Sequence, residues 1–145
     1  MNIYLIIILC AIIGEYILST IVRTLNLKAL NPILPEEFSD VYDKEKYSKS
    51  QKYTRENSRF ANLTSSFSIL LTLGVILFGV FNIADEFVRG FGYGEIITGL
   101  FFFGILSLAG DLISTPISLY HNFVIEEKFG FNKMTLNTFI MDKLK

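Results

Sequence analysis

Three long apolar blocks, separated by charged stretches, constrain this 145-residue chain more than any other feature of its sequence. The blocks cover about residues 3–22, 63–84 and 96–120. About 20 helical residues span about 30 Å, which is the thickness of the hydrocarbon layer of a bilayer. Because backbone polar groups find no water at that depth, each block must close its own hydrogen bonds, as a helix does. The sequence therefore predicts an all-α integral membrane protein with about three transmembrane helices.

The first block has an alternative interpretation as a cleaved signal peptide. A signal peptide needs a basic start, a shorter apolar core and a cleavage site of small residues. Met1 and Asn2 carry no basic side chain, and the apolar run continues to Arg23. We therefore expect an uncleaved span. The single cysteine, Cys10, lies within this block and excludes an internal disulfide.

The stretch 23–60 connects the first two spans and carries most of the charge. Two prolines, Pro32 and Pro35, indicate a turn and an extended segment near its start. From about Glu36 the pattern becomes helical and predicts an amphipathic connecting helix. At 100° per residue, one apolar sector contains Phe38, Val41, Tyr42, Tyr53 and Phe60. This helix either lies on the membrane face or packs over a cavity mouth, or it is an ordinary charged connecting helix.

The distribution of charge predicts the topology and the classes of partner. Lysines and arginines cluster in 23–60, whereas the second connection carries only Arg89. Cytoplasmic connections hold the excess of Lys and Arg, so we expect 23–60 to be cytoplasmic and the amino terminus outside or lumenal. The net charge of −1, with six acids inside the basic stretch, argues against nucleic acid as a partner.

Two acidic side chains lie inside the predicted spans: Glu15 in the first and Asp111 in the third. A charged group at the bilayer centre costs about 2.5–3.5 kcal/mol or more, so both should face protein or water. Each residue either lines a functional cavity or makes a structural polar contact between helices. The only histidine, His121, cannot build a zinc site of three or four ligands. The sequence therefore predicts neither catalytic residues nor metal ligands.

The stretch 114–133 carries the most specific pattern in the chain. Pro116 interrupts the third block near its end, because proline removes a backbone donor and kinks a helix. The run then passes through Glu126, Glu127 and Lys128 and reaches Gly130, which is a helix-stop signal. We expect a kinked membrane helix that leaves the bilayer here.

This stretch resembles the signature that ends the amino-terminal region of the CAAX prenyl endopeptidases, which are integral-membrane zinc metalloproteases that trim isoprenylated proteins. The family pattern matches at Ser114, Pro116, Tyr120, Phe123, Val124, Ile125, Glu126, Glu127, Lys128, Gly130, Phe131 and Asn132. A second block, from Leu34 to Phe38 and on through Tyr42 and Tyr47 to Phe60, also fits. We call residues 114–133 the signature stretch.

The resemblance implies a zinc-binding His-Glu-x-x-His helix, which this chain with its single histidine does not contain. We therefore expect residues 1–145 to be the non-catalytic amino-terminal membrane domain of such a protease, helping to form its intramembrane chamber. The resemblance places the zinc in a missing carboxyl-terminal catalytic region. It also implies the bilayer, that catalytic region and prenylated or other peptide substrates as partners. The alternatives are a stand-alone membrane scaffold or adaptor without enzymatic activity, and a small transport subunit that uses Glu15 and Asp111.

Overall fold

The computed structural model describes residues 2–144, which form helices joined by short turns, with no strand among them. The predicted all-α class is confirmed. In chain order the helices are α1 (Ile3–Ala29), α2 (Lys44–Leu77), α3 (Val80–Arg89), α4 (Glu95–Tyr120), a π-helical segment (His121–Glu126), α5 (Glu127–Phe129) and α6 (Leu136–Leu144).

Three of these helices are long and apolar enough to cross a membrane. They are Ile3–Ala29, Lys44–Leu77 and the continuous run Glu95–Phe129, which joins α4 to α5. Large apolar side chains such as Ile7, Leu70 and Leu112 remain exposed on them. A soluble monomer rarely leaves so much apolar surface open, whereas lipid or further helices would cover it. The architecture is therefore that of an integral membrane protein.

Helices α1 and α2 pack antiparallel through polar side chains. The Tyr16 hydroxyl lies 2.7 Å from Ser66 Oγ, and Arg23 donates to Asn62 Oδ1 at 3.0 Å. Further along, Arg55 of α2 donates to the carbonyl oxygen of Leu30, the C-cap of α1, at 3.1 Å. A cation at a helix carboxyl end satisfies an orphan carbonyl and complements the helix dipole. These bonds fix the relative register of the first two spans.

The connecting helix begins later than the sequence indicates. Residues Glu36–Phe38 form only one 3-10 turn, and α2 starts at Lys44, where the Asp43 side chain accepts the Lys46 N–H at 2.8 Å. An aspartate N-cap of this kind sets a helix start. Phe38, Val41 and Tyr42 therefore lie outside α2, and the prediction that they share its apolar sector is wrong. From Lys44 the helix runs without a break into the second span.

The second apolar block is interrupted before its predicted end. Helix α2 ends at Leu77, and Gly79 adopts a φ of 66°, a left-handed conformation that stops a helix and favours glycine. Helix α3 then starts at Val80 and runs to Arg89, five residues beyond the predicted end of the second block at residue 84. The connection to α4 is therefore mainly helical, and only residues 90–94 lie outside helices.

Candidate functional site: the signature stretch against helix α2

The third span continues past Tyr120 as a π-helical segment, His121–Glu126. Nothing in the sequence predicted this segment, although Pro116 lies just upstream and cannot donate a backbone hydrogen bond. A π turn changes the direction in which the following side chains point, and such turns are frequent at functional sites. The residues on both sides of this segment, Tyr120 and His121 before or at its start and Lys128 and Phe129 after it, lie against the polar half of α2 (residues 44–60).

The predicted helix stop at Gly130 is confirmed. Gly130 has a φ of 70°, and the Phe131 N–H donates to the Glu126 carbonyl at 2.9 Å while the Gly130 N–H donates to Glu127 at 3.0 Å. This pair of bonds is a Schellman motif. Asn132 Nδ2 also donates to Glu127 Oε2 at 2.9 Å. These bonds all lie within the turn. They shape it through Glu127, Gly130 and Asn132 and make no contact with α2.

Two polar contacts fasten the signature stretch to α2. His121 Nε2 lies 2.9 Å from Asn57 Oδ1, and Lys128 Nζ donates to Glu56 Oε1 at 2.7 Å. On its other side, His121 Nδ1 lies 3.7 Å from Glu126 Oε1. The Glu56 carboxylate is 41% exposed, so the net free energy of its surface ion pair is small.

Aromatic contacts flank these polar ones. Tyr53 meets the edges of Phe129 and Phe131, with ring centroids 5.4 Å and 4.8 Å apart. Phe60 stacks on Tyr120 with centroids 5.2 Å apart. Aromatic pairs of this geometry contribute about 0.5–1.5 kcal/mol each beyond the apolar area they bury. Phe129 and Ile125 are among the few apolar side chains that are buried in the described residues. We call this contact region between the signature stretch and α2 the junction.

The α2 side of the junction is a single helical face. Tyr53, Asn57 and Phe60 follow the i, i+4, i+7 spacing that places side chains in one row. The apolar pattern of the sequence placed Tyr53 and Phe60 in one sector of the helix. It did not identify Asn57 or Glu56 as contact residues. Asn57 completes the row, so its spacing was the signal that could have identified it.

Pro116 lies on the apolar side of the same junction. It lines a cavity of about 320 Å³ together with Leu63, Thr64, Phe67, Ile113 and Ile117. All of these side chains belong to α2 or α4, within the second and third spans. Pro116 therefore lies at a gap between the second and third spans, next to the junction.

Glu15 lies in a second region, between α1 and α2. Its Oε1 accepts the Ser19 hydroxyl at 2.7 Å. Glu15, Ser19 and Arg23 of α1 and Ser65 and Ser68 of α2 line part of a cavity of about 300 Å³. Glu15 thus lines a cavity, and its hydrogen bond with Ser19 stays within α1 rather than joining two helices. A functional role for that cavity remains a prediction.

Asp111 has different partners. Its Oδ1 accepts from Lys143 Nζ of α6 at 3.0 Å, and its backbone carbonyl accepts the Thr115 hydroxyl at 2.6 Å. Phe139 of α6 meets Phe123 at 6.0 Å between centroids. Helix α6 therefore returns along α4. The structure does not bring Glu15 and Asp111 to a common partner.

The donors available for a metal ion can be compared with the zinc that the resemblance implies. Within residues 2–144, no three His, Cys, Asp or Glu side chains come together as a group that could hold a metal ion. His121 has Glu126 as a neighbour and otherwise asparagine amides. These residues do not fit a zinc site, so no chemical step is assigned to a metal here.

Comparison with known families gives a match over most of the chain. The family model described as "CAAX prenyl protease N-terminal, five membrane helices" matches residues 23–145. This range includes the polar half of α2, the third span and the whole signature stretch.

Curated relatives and a solved structure agree with that match. The chain is 36% identical over 123 residues to "CAAX prenyl protease 1 homolog" of Dictyostelium discoideum, covering 81% of this chain and 29% of the relative. It is 34% identical over 119 residues to the mouse homolog, covering 77% of this chain and 25% of the relative. The crystal structure of S. mikatae Ste24p superposes with a TM-score of 0.89 at 26% identity, covering 99% of this chain and 35% of that one. The chain thus spans about a third or less of the length of these proteins.

Proposed function

The chain belongs to the CAAX prenyl protease N-terminal family, and from this premise we propose that it is the non-catalytic membrane domain of a zinc metalloendopeptidase and helps to wall an intramembrane chamber. The observation that carries the proposal is the polar cavity between α1 and α2 at membrane depth. Serine, threonine and charged side chains, including Glu15, Ser19 and Ser68, form most of its lining, and Ile12, Tyr16 and Ile69 complete it. Polar groups within spans face a bundle interior or a water-filled space rather than lipid.

Helix α2 has one face toward the polar cavity and another that is apolar and exposed, as expected for a helix that separates a chamber from lipid. Ser68 lines the polar cavity, whereas Leu70 is 70% exposed. Ser68 and Leu70 are two positions apart in the sequence, which is a rotation of 200° at 100° per residue. Their side chains therefore point in nearly opposite directions. Ser19 and the exposed Ile17 have the same relation on α1. The chamber would lie on the serine side, and lipid or other helices on the leucine and isoleucine side.

Water accessibility tests this arrangement. In a Cys10→Ala background, we expect Ser68→Cys and Ser19→Cys to react with a membrane-impermeant thiol reagent in native membranes. The matched variants Leu70→Cys and Ile17→Cys should stay unlabelled. Equal labelling of serine and leucine positions, or labelling of the apolar positions alone, would overturn the chamber wall.

Catalysis and zinc belong, in this proposal, to a carboxyl-terminal region of the same protease. The curated relatives are named as prenyl proteases. The chain matches the family model described as N-terminal and covers 29% of the Dictyostelium relative. Prenylated or other peptides would be the substrates that the assembled chamber admits. The excess of basic residues in 23–60 supports a cytoplasmic position for that connection, with the amino terminus outside or lumenal.

The first measurement is zinc content and peptidase activity of the purified 145-residue chain in detergent. We expect neither stoichiometric zinc nor cleavage of a farnesylated peptide. Stoichiometric zinc together with cleavage would show that the chain builds its own active site, and the proposal would fail.

A further inference from the structure

A cationic pocket lies beside the junction, between the polar half of α2 and α5. Its volume is about 200 Å³. Four basic side chains and one carboxylate line it, so its charge is positive overall. A phenylalanine ring completes the lining, which consists of Lys52, Arg55, Glu56, Arg59, Lys128 and Phe129.

Part of this positive charge is available to a ligand. Lys128 is bonded to Glu56 at 2.7 Å, and one N–H of Arg55 is used on the Leu30 carbonyl. Lys52 and Arg59 are exposed, and within residues 2–144 neither makes a hydrogen bond or ion pair. Arg55 keeps further guanidinium donors, because the group carries five N–H bonds. Lys52, Arg59 and the remaining donors of Arg55 therefore surround the pocket, and Arg59 also interacts electrostatically with Glu56.

The pocket lies at the membrane boundary. Arg59 precedes Leu63, the predicted start of the second span, by four residues, or about 6 Å along the helix axis. The headgroup layer on each side of a bilayer is about 5–7 Å thick, so Arg59 lies at headgroup depth. Lys52 is about 16 Å from the same point, on the water side of the headgroup layer, and its extended side chain comes within about a Debye length, 8 Å, of the headgroups.

We propose that this pocket binds the phosphate headgroup of an anionic phospholipid. Basic side chains next to a transmembrane helix attract anionic lipids, and arginine forms paired hydrogen bonds with phosphate oxygens. Phe129, which is buried, forms the apolar floor of the pocket. The α2 face is continuous with the lipid-exposed span, so acyl chains of a bound lipid can follow it past Leu63. This inference is independent of whether the chain walls a protease chamber.

Lipid titration of the purified full chain, followed by native mass spectrometry, tests the site. The probes are phosphatidylglycerol and phosphatidylcholine with identical acyl chains. The variant Lys52→Gln/Arg59→Gln removes the two cations whose side chains make no hydrogen bond within residues 2–144. The matched control Lys44→Gln/Lys46→Gln removes the same charge from exposed positions of α2 outside the pocket. Circular dichroism of each variant verifies that the helices are retained.

We expect the chain to prefer phosphatidylglycerol and the Lys52/Arg59 variant to bind it about 10- to 30-fold more weakly, because each basic residue near the surface contributes about 1 kcal/mol. The control pair should change binding less than about twofold, which corresponds to less than half the energy that one such charge contributes. Phosphatidylcholine binding should not change in any variant.

Four results would overturn the proposal. An equal loss in the control pair would show a diffuse charge effect, and no lipid preference in the unaltered chain would exclude the site. Displacement of the lipid by inorganic phosphate at constant ionic strength would identify a free-phosphate site. Competition by a farnesylated peptide that is weakened by the Lys52/Arg59 substitutions would identify a peptide carboxylate as the occupant.

Discussion

At the scale of single residues, the junction depends on His121 and Asn57, which face each other across 2.9 Å. Both side chains are partly buried, and a partly buried polar group that loses its partner destabilises a fold more than the bond itself contributes. His121 is therefore a packing and hydrogen-bonding residue of this domain. That role is compatible with the family signature, in which it lies between Tyr120 and Phe123.

The first prediction concerns this pair. We expect Asn57→Ala and His121→Ala each to lower the free energy of unfolding by about 1–3 kcal/mol. Because each variant removes the same bond, the double variant should cost less than the sum, with a coupling of about 0.5–1.5 kcal/mol. Unfolding in detergent, followed by circular dichroism, measures the stability of the unaltered chain, the two single variants and the double variant. Additive effects would show that the two side chains do not interact.

The second prediction concerns pH. Glu56 lies in the polar half of α2, ahead of the apolar part, and the hydrogen bond and charge of Lys128 lower its pKa from the ordinary value of 4.5. A carboxyl with a lowered folded-state pKa adds stability above its unfolded pKa and loses it as pH falls through the folded value. The stability difference between the unaltered chain and Lys128→Gln should therefore be constant near pH 7 and shrink below about pH 4.5.

Because Glu56 is 41% exposed, solvent screening keeps this difference below about 1 kcal/mol. Unfolding curves at several pH values between about 7 and 3.5 measure it. The control is Glu56→Gln, in which the Lys128→Gln difference should be small at every pH. A difference that persists unchanged at low pH would show that Lys128 acts through something other than this carboxylate.

At the scale of elements, the breaks between helices differ in how readily the sequence shows them. The stop at Gly130 was predictable, because a lysine in the last turn precedes the glycine and charged residues mark the boundary. The break at Gly79 was not, since the glycine is embedded in an apolar run that meets the composition of a span. The π segment was not predictable either, because neither its apolar pattern nor its charges differ from those of an α-helix.

The third prediction uses two glycines of the second span. Gly79 has a φ of 66°, so Gly79→Ala should destabilise the chain by about 1–2 kcal/mol through left-handed strain. Gly74 is helical, and a Cβ there meets only Phe78 Cδ2 at 3.9 Å, which is ordinary contact. The control Gly74→Ala should therefore stabilise by about 0.5–1 kcal/mol. Thermal unfolding in detergent compares the two; a stabilising Gly79→Ala would show that α2 and α3 can form one helix.

At the scale of the whole molecule, the apolar pattern alone predicted the all-α class and three helices long and apolar enough to cross a membrane. It could not give the contacts between distant segments, because single residues such as Asn57, Ser66 and Lys143 carry no periodic signal of their partners. The polar α1–α2 interface illustrates this: Arg23 marked only the end of a span in the sequence, yet it donates to Asn62 and Ser65.

The last prediction concerns the contact that returns the end of the chain to the third span. Lys143 Nζ is 3.0 Å from Asp111 Oδ1, and Asp111 lies nine residues, or about 14 Å, before Tyr120 in α4. A carboxylate at that depth depends on its cation, because a charge without a partner there costs about 2.5–3.5 kcal/mol at the bilayer centre. Lys143→Ala alone should therefore destabilise more than Lys143→Ala combined with Asp111→Asn, which removes both charges. Unfolding of the single and double variants in lipid nanodiscs measures the order, and a double variant less stable than Lys143→Ala would show that Asp111 is stabilised by water rather than by α6.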